Sequence, residues 1–271
     1  MKTDKKSSKK FNKAYILLII GILILGYSGY RLFDYFWNIN KAEQAFNDLK
    51  DMIQEEPTDP GDAGGNPLTT RTKPDFSALL DANSDFVGWI TVPDTRIDYP
   101  VMQTPNNEEF YLRRNFEKQY DMSGTPFCNA DADLVRPSDN IIIYGHHMSA
   151  GTMFHDLVNY KKKDFYTEHK TFYFDTIYRT GTYEVIAVCL VGTLSENDFP
   201  YWTVVNCNEE EFDEYISWLK SKSLYTTDSI DNTKYGDRLV TLSTCEYHVE
   251  GGRLIVVGKL IDSDDIDLLN K

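Results

Sequence analysis

Cysteine is scarce in this chain and poorly spaced for most of its usual roles. There are four, Cys128, Cys189, Cys207 and Cys245, and no two form a C-x-x-C pair. That argues against zinc ribbons and thioredoxin-like redox motifs. Four cysteines in 271 residues also fall short of a disulfide scaffold. Basic charge is short as well, outside the first residues. Residues 1–13 hold six lysines and one aspartate, a charge of +5, and the rest of the chain carries −19. An acidic body argues against nucleic acid as a partner, because phosphate binding requires a basic surface. Repeats, low-complexity tracts and βαβ alternation are all missing, so a doubly wound parallel sheet is not expected.

What is present begins with an uncharged run, AYILLIIGILILGYSGY, at residues 14–30. As a helix it is about 25 Å long, near the lower limit for crossing a bilayer. The lysine cluster precedes it, so the positive-inside rule puts residues 1–13 in the cytoplasm and the body of the chain outside. Tyr27 and Tyr30 suit the outer interface. No A-x-A-like cleavage site follows the run, which favours an anchor over a removed signal peptide.

Beyond the anchor, Ala42, Ala45, Phe46, Leu49, Met52 and Ile53 recur at helical spacing and predict a helix over 37–56. PTDPGDAGGNP at 57–67 reads as a linker or exposed loop. From about residue 75 the pattern changes to short strands, at Phe86–Val92, Asn140–Tyr144, Thr182–Val191, Leu239–Thr244 and Arg253–Leu260. Residues 31–74 are therefore expected to form a helical stalk and linker, and 75–271 a mostly β domain of barrel type. One inserted helix is also expected before the last hairpin. Phe212, Tyr215, Ile216 and Leu219 fall on one face, and Asn208 with Glu211 supplies a capping-box start.

The segment with the most chemistry is TLSTCEYHVEGGRLIVVGKL, residues 241–260. Two apolar strands flank a Gly-Gly-containing turn, which reads as a hairpin. With the turn centred on Val249, Cys245 lies opposite Arg253, and such pairs have Cβ atoms about 4.5–5.5 Å apart on one face. A guanidinium beside a thiol favours the thiolate and offers N–H donors to an oxyanion. The second segment is IIIYGHHM, residues 141–148, a strand ending in a loop with two histidines. A cysteine nucleophile needs a proton donor for the leaving amine, and histidine suits that task by its pKa. Composition does not choose between His146 and His147, and His155, His169 and His248 are lesser candidates. The spacing of His146, His147, Cys245 and His248 matches no common zinc signature. Papain-like local signatures are absent.

With these segments in hand, the chain resembles a class B sortase. TLSTC with an arginine on the next strand is similar to that family's nucleophile signature, and YGHHM to its histidine motif. FVGWITVPDTRIDYPVMQ, YLRRNF and GTMFHDLVNYKKKDFYTEHKTFYFDT extend the likeness over about residues 75–262. The resemblance implies an eight-stranded β-barrel with N-terminal helices. It implies that Cys245 is the nucleophile, His146 the catalytic histidine and Arg253 the oxyanion partner. Ser243, Glu246 and Leu112 would line the peptide groove. The substrates implied are secreted proteins bearing a C-terminal sorting motif, cut at Thr. The acceptor implied is an amino group of the peptidoglycan cross-bridge or its lipid-linked precursor. No metal and no cofactor is implied. Two other readings share part of this pattern: a membrane-anchored cysteine peptidase that gives its thioester to water, and a catalytically silent surface-binding domain.

Overall fold

The structure, a computed structural model, describes residues 13–55, 72–195 and 198–265. They divide into two compact units, one ending at Lys41 and the other beginning at Ala42. The sequence-predicted tail before residue 13 and the 57–67 linker lie outside the described residues.

Helix α1 runs from Lys13 to Lys50 without a break. The apolar run and the amphipathic stretch, expected as separate pieces, are thus one helix. Its first part is long and apolar enough to cross a membrane, and its apolar side chains stand exposed, Leu25 at 74%. Its last turns belong to the second unit and change character. Ala42, Phe46 and Leu49, at i, i+4 and i+7, are buried in that unit's core, and Phe46 meets Tyr99 edge-on at 5.1 Å. The helix ends at Lys50 rather than 56, because the i→i−4 bonding gives way to tighter turns, Met52 N–H to Leu49 O and Ile53 N–H to Lys50 O. Two short strands follow, β1 (Gln54–Glu55) and β2 (Pro74–Asp75), paired antiparallel. Helix α2 (Ser77–Ala82) leads into the barrel.

The barrel has eight strands. They are β3 (Phe86–Thr91), β4 (Asp98–Met102), β5 (Phe127–Cys128), β6 (Asn140–Tyr144), β7 (Thr171–Thr176), β8 (Thr182–Val191), β9 (Leu239–Cys245) and β10 (Arg253–Asp262). Their order around the closed sheet is β10-β8-β7-β3-β4-β5-β6-β9. Closure removes the free edges that would invite aggregation. β4–β5 and β6–β9 are parallel and the other pairs antiparallel. β9 is buried at every position from Leu239 to Thr244, which explains a run without polar alternation.

Helices α3 (Lys163–Glu168) and α4 (Glu209–Lys222) lie in the connections. α4 starts with the expected capping box: Glu211 N–H donates to Asn208 Oδ1 at 3.1 Å, and Asn208 N–H to Glu211 Oε2 at 2.9 Å. Each satisfies a backbone donor that the helix cannot. The predicted face, Phe212, Tyr215, Ile216 and Leu219, is buried, worth about 1.5–3 kcal/mol per large apolar side chain. Tyr215 also reaches β9, its hydroxyl 3.2 Å from Thr241 Oγ1. Thr241 in turn donates to Asn140 Oδ1 at 2.9 Å, and Asn140 Nδ2 to Val204 O at 3.0 Å. This buried network ties α4, β9, β6 and the 201–205 segment together beneath the site.

Candidate active site

The hairpin register read from the sequence is the one observed. Arg253 pairs with Cys245 across β9 and β10. On the other side of β9, the parallel ladder with β6 ends at Tyr144↔Ser243. The ladder stops there, and His146 follows in the loop after β6, where Gly145 N–H still donates to Ser243 O at 3.1 Å. Arg253 thus faces Cys245 from the neighbouring strand, and His146 enters from the loop that follows β6. All three line one groove of about 400 Å³.

The four cysteines are free, and their surroundings differ. Burial pushes the Cys128 thiol up, the Cys189 thiol to about 12, and the Cys207 thiol to about 11, the last with help from Asp139. Those three are held as thiols. Cys245 is half-buried and opens on the groove.

His146 follows Gly145 at the end of β6. Its Nε2 lies 2.7 Å from Leu112 O. A carbonyl only accepts, so Nε2 carries the proton and Nδ1 is left as the acceptor of the neutral ring. Burial lowers its pKa from 6.5, opposed by the Leu112 bond and reinforced by the charge of Arg113. His147 points elsewhere, with Nδ1 3.0 Å from Cys245 O. It does not line the groove, and neither do His155, His169 or His248.

Arg253 donates from Nη1 to Gly252 O at 3.1 Å. Among the described residues no carboxylate forms an ion pair with it, though Glu108 and Glu109 line the same groove. The turn before it is held to the loop after β8 by Thr193 Oγ1 donating to Gly251 O at 2.8 Å.

Of the three expected peptide-contacting residues, two line the groove. Leu112 does so from a 3₁₀ helix, Glu108–Arg113. Ser243 forms part of the floor, its Oγ 2.8 Å from the Tyr201 hydroxyl. Glu246 is not among the lining residues. Its carboxylate is taken by Lys161 Nζ at 2.8 Å and by His248 N and Nδ1 at 2.8 and 2.7 Å. The Lys161 bond leads in lowering its pKa to about 2. Glu108, Tyr144, Tyr201 and Trp202 also line the groove and were not singled out from sequence. Tyr201 and Trp202 sit in a single 3₁₀ turn, where no periodicity marks them. The aromatic pair after Pro200 is the one signal available.

Residues 90–261 match the Sortase domain family. The chain belongs to the sortase family. Its relatives include a protein named sortase B from Listeria monocytogenes, 30% identical over 251 residues, 92% of this chain and 96% of that protein. Solved structures with the same fold include a Staphylococcus aureus sortase B–substrate complex, at TM-score 0.62 and 33% identity, covering 69% of this chain and 84% of that one. Another is a sortase B complexed with triglycine, at TM-score 0.62 and 33% identity, covering 69% and 85%. This sortase is accordingly a cysteine transpeptidase of the B type, acting in cell-wall sorting. The simple peptidase and the silent binding domain are not favoured.

Proposed function

We propose that Cys245 is the nucleophile of this transpeptidase, His146 its acid and base, and Arg253 its oxyanion partner. One observation carries the reading: Cys245, paired with Arg253 across β9 and β10, lines a single groove with Arg253 and His146. His146 Nδ1 takes the Cys245 thiol proton, and the Sγ thiolate attacks the carbonyl carbon of Thr in the sorting motif of a secreted protein. The oxyanion that forms takes N–H donors from Arg253. As the C–N bond breaks, His146 Nδ1–H gives its proton to the leaving amine. An amino group of the peptidoglycan cross-bridge, or of its lipid-linked precursor, then attacks the thioester and returns a proton to His146. An amide forms and the Cys245 thiolate is released. The thioester conserves acyl energy, so no nucleotide is needed. The substrate-bound and triglycine-bound sortase B structures support peptide and amine as the two reactants. Leu112 and Ser243 contact the peptide in this reading. Glu246 steadies the β9–β10 turn from outside the groove.

In the same reading residues 14–30 anchor the chain in the cell membrane, with 1–13 cytoplasmic and the catalytic domain, 75–271, on the outer face. The exposed apolar side chains of α1 and the preceding lysines support it. The experiment uses the purified full chain with quenched pentapeptides and an added amine. Thr-directed cleavage with amide product is expected, and Cys245→Ala abolishes it while keeping the fold. Turnover that survives Cys245→Ala but is lost in Cys189→Ala or Cys207→Ala would overturn the assignment.

A further inference from the structure

The ladder between β6 and β9 stops two residues short of His146 and Cys245. Backbone pairing runs from Asn140↔Leu239 to Tyr144↔Ser243, and Gly145 N–H still donates to Ser243 O at 3.1 Å. Beyond this point the two chains leave for different loops. Two side chains supply the rungs that the backbone no longer makes. Thr244 Oγ1 donates to Gly145 O at 2.7 Å. His147 Nδ1 meets Cys245 O at 3.0 Å. Because that oxygen only accepts, Nδ1 is protonated, and the bond holds whether the ring is neutral or cationic.

We propose that His147 is a positioning residue, whose Nδ1–H, bound to the nucleophile's own carbonyl, fixes the spacing between Cys245 and the adjacent His146. The inference rests on the Cys245–His146 reading above. His147 does not line the groove, so it acts through its neighbours rather than on substrate. Its ring is itself held, 4.9 Å from His155 and 5.7 Å from Tyr247. His147 and Met153 form a backbone bridge, and Phe154 N–H donates to His146 O at 2.9 Å. His155 Nδ1 in turn reaches Met148 O at 2.9 Å. The loop is thus closed on itself, and the His147–Cys245 bond joins it to β9. Proton transfer requires donor and acceptor within hydrogen-bond reach, so loss of this tie shows in the chemical step.

The test compares His147→Ala, His147→Asn and His147→Gln in the full chain, on a quenched sorting peptide that the wild type cleaves. Asparagine carries an N–H at the reach of Nδ1, whereas glutamine carries one at the reach of Nε2. The expected result is a fall of about tenfold in kcat for His147→Ala with KM within about twofold, the size of one lost hydrogen bond. His147→Asn should recover to within about threefold of wild type and His147→Gln should not. Wild-type kcat in His147→Ala, or asparagine no better than glutamine, overturns the proposal. Melting curves report folding, and where His147→Ala fails to fold the Asn–Gln contrast decides alone. Cys245→Ala is run alongside. Turnover that persists in it defeats the underlying reading. Turnover lost in it but unaltered by the His147 variants defeats the positioning role alone.

Discussion

Gly145, between β6 and His146, is pressed against the ring of Phe154, and alanine there should damage both stability and turnover. A Cβ at this position would lie 2.5 Å from Phe154 Cγ and 2.7 and 2.8 Å from its Cδ2 and Cδ1. Carbon atoms rest about 3.5–4.0 Å apart, so the ring has to withdraw by about 1 Å. It has little freedom to do so. Phe154 is fully buried, and its N–H is bonded to His146 O. Overpacking of this kind costs about 1–3 kcal/mol. The displaced ring also pulls on the backbone of His146, the proposed acid and base, and a misplacement of about 1 Å at such a group costs up to about 10²-fold in rate. Urea denaturation should show the loss of stability as a lower midpoint with unchanged slope. Steady-state kinetics should show a lower kcat with a smaller change in KM. Phe154→Ala removes the clashing carbons, Cγ, Cδ1 and Cδ2. Alone it costs about 3–5 kcal/mol, but with Gly145→Ala the two losses should fail to add, by about 0.5–3 kcal/mol. Strict additivity, or Gly145→Ala with wild-type midpoint and kcat, would refute the steric argument.

Three further outcomes are expected. Arg253→Ala should lower kcat by on the order of 10²–10³ with little change in KM. Arg253→Lys should recover only part, because an ammonium lacks the planar fork of donors, and alkylation of Cys245 by iodoacetamide should persist in both, since it forms no oxyanion. The acid limb of kcat/KM should lie below pH 6.5, because burial and the Arg113 charge depress His146, and Arg113→Ala should move that limb upward. The Glu246 carboxyl sits at about 2 against an ordinary 4.5. Its contribution to stability is complete above pH 4.5 and is lost as the pH falls toward 2. Glu246→Gln should flatten the pH–stability curve across that window, and an unaltered curve would show that the Lys161 and His248 contacts carry no net stabilisation.

Much of the site could be read in advance because it is local. The Cys245↔Arg253 pairing follows from one short turn, and a hairpin's register depends on residues close in sequence. The cap and buried face of α4 are local for the same reason. The pairing of β6 with β9 is not. Nothing in NIIIY or LVTLSTC names the other as its partner, so the joining of His146 to Cys245 as a working pair came only through the family resemblance and remains the proposal made above. β4 is obscured by Pro100, a residue that weakens any strand assignment. It is tolerated because β5 joins β4 only at Met102↔Phe127, so on that side no ladder runs past the proline. β5 itself is two residues long and leaves no pattern. β7 was more accessible, since Phe172 and Phe174 are fully buried and alternate with half-buried Thr171 and Tyr173. Glu246 lies beside Cys245 in sequence, but its outward direction depends on Lys161, which belongs to a distant 3₁₀ segment.

The parallel contact between β6 and β9 also bears on how the molecule comes into being. Gly145 and Thr244, bonded side by side, are 99 positions apart in the chain. Such a contact carries a large loop-closure cost, and domains dominated by contacts of this range fold in milliseconds to seconds rather than microseconds. Until β9 and β10 arrive, β6 and β8 each present an unpaired edge, the kind of surface that recruits other chains. A nascent chain halted before Leu239 would hold its histidine loop without the cysteine strand. The enzyme therefore has no half-active precursor: turnover begins only when the sheet has closed upon itself, which makes activity a direct readout of completed folding.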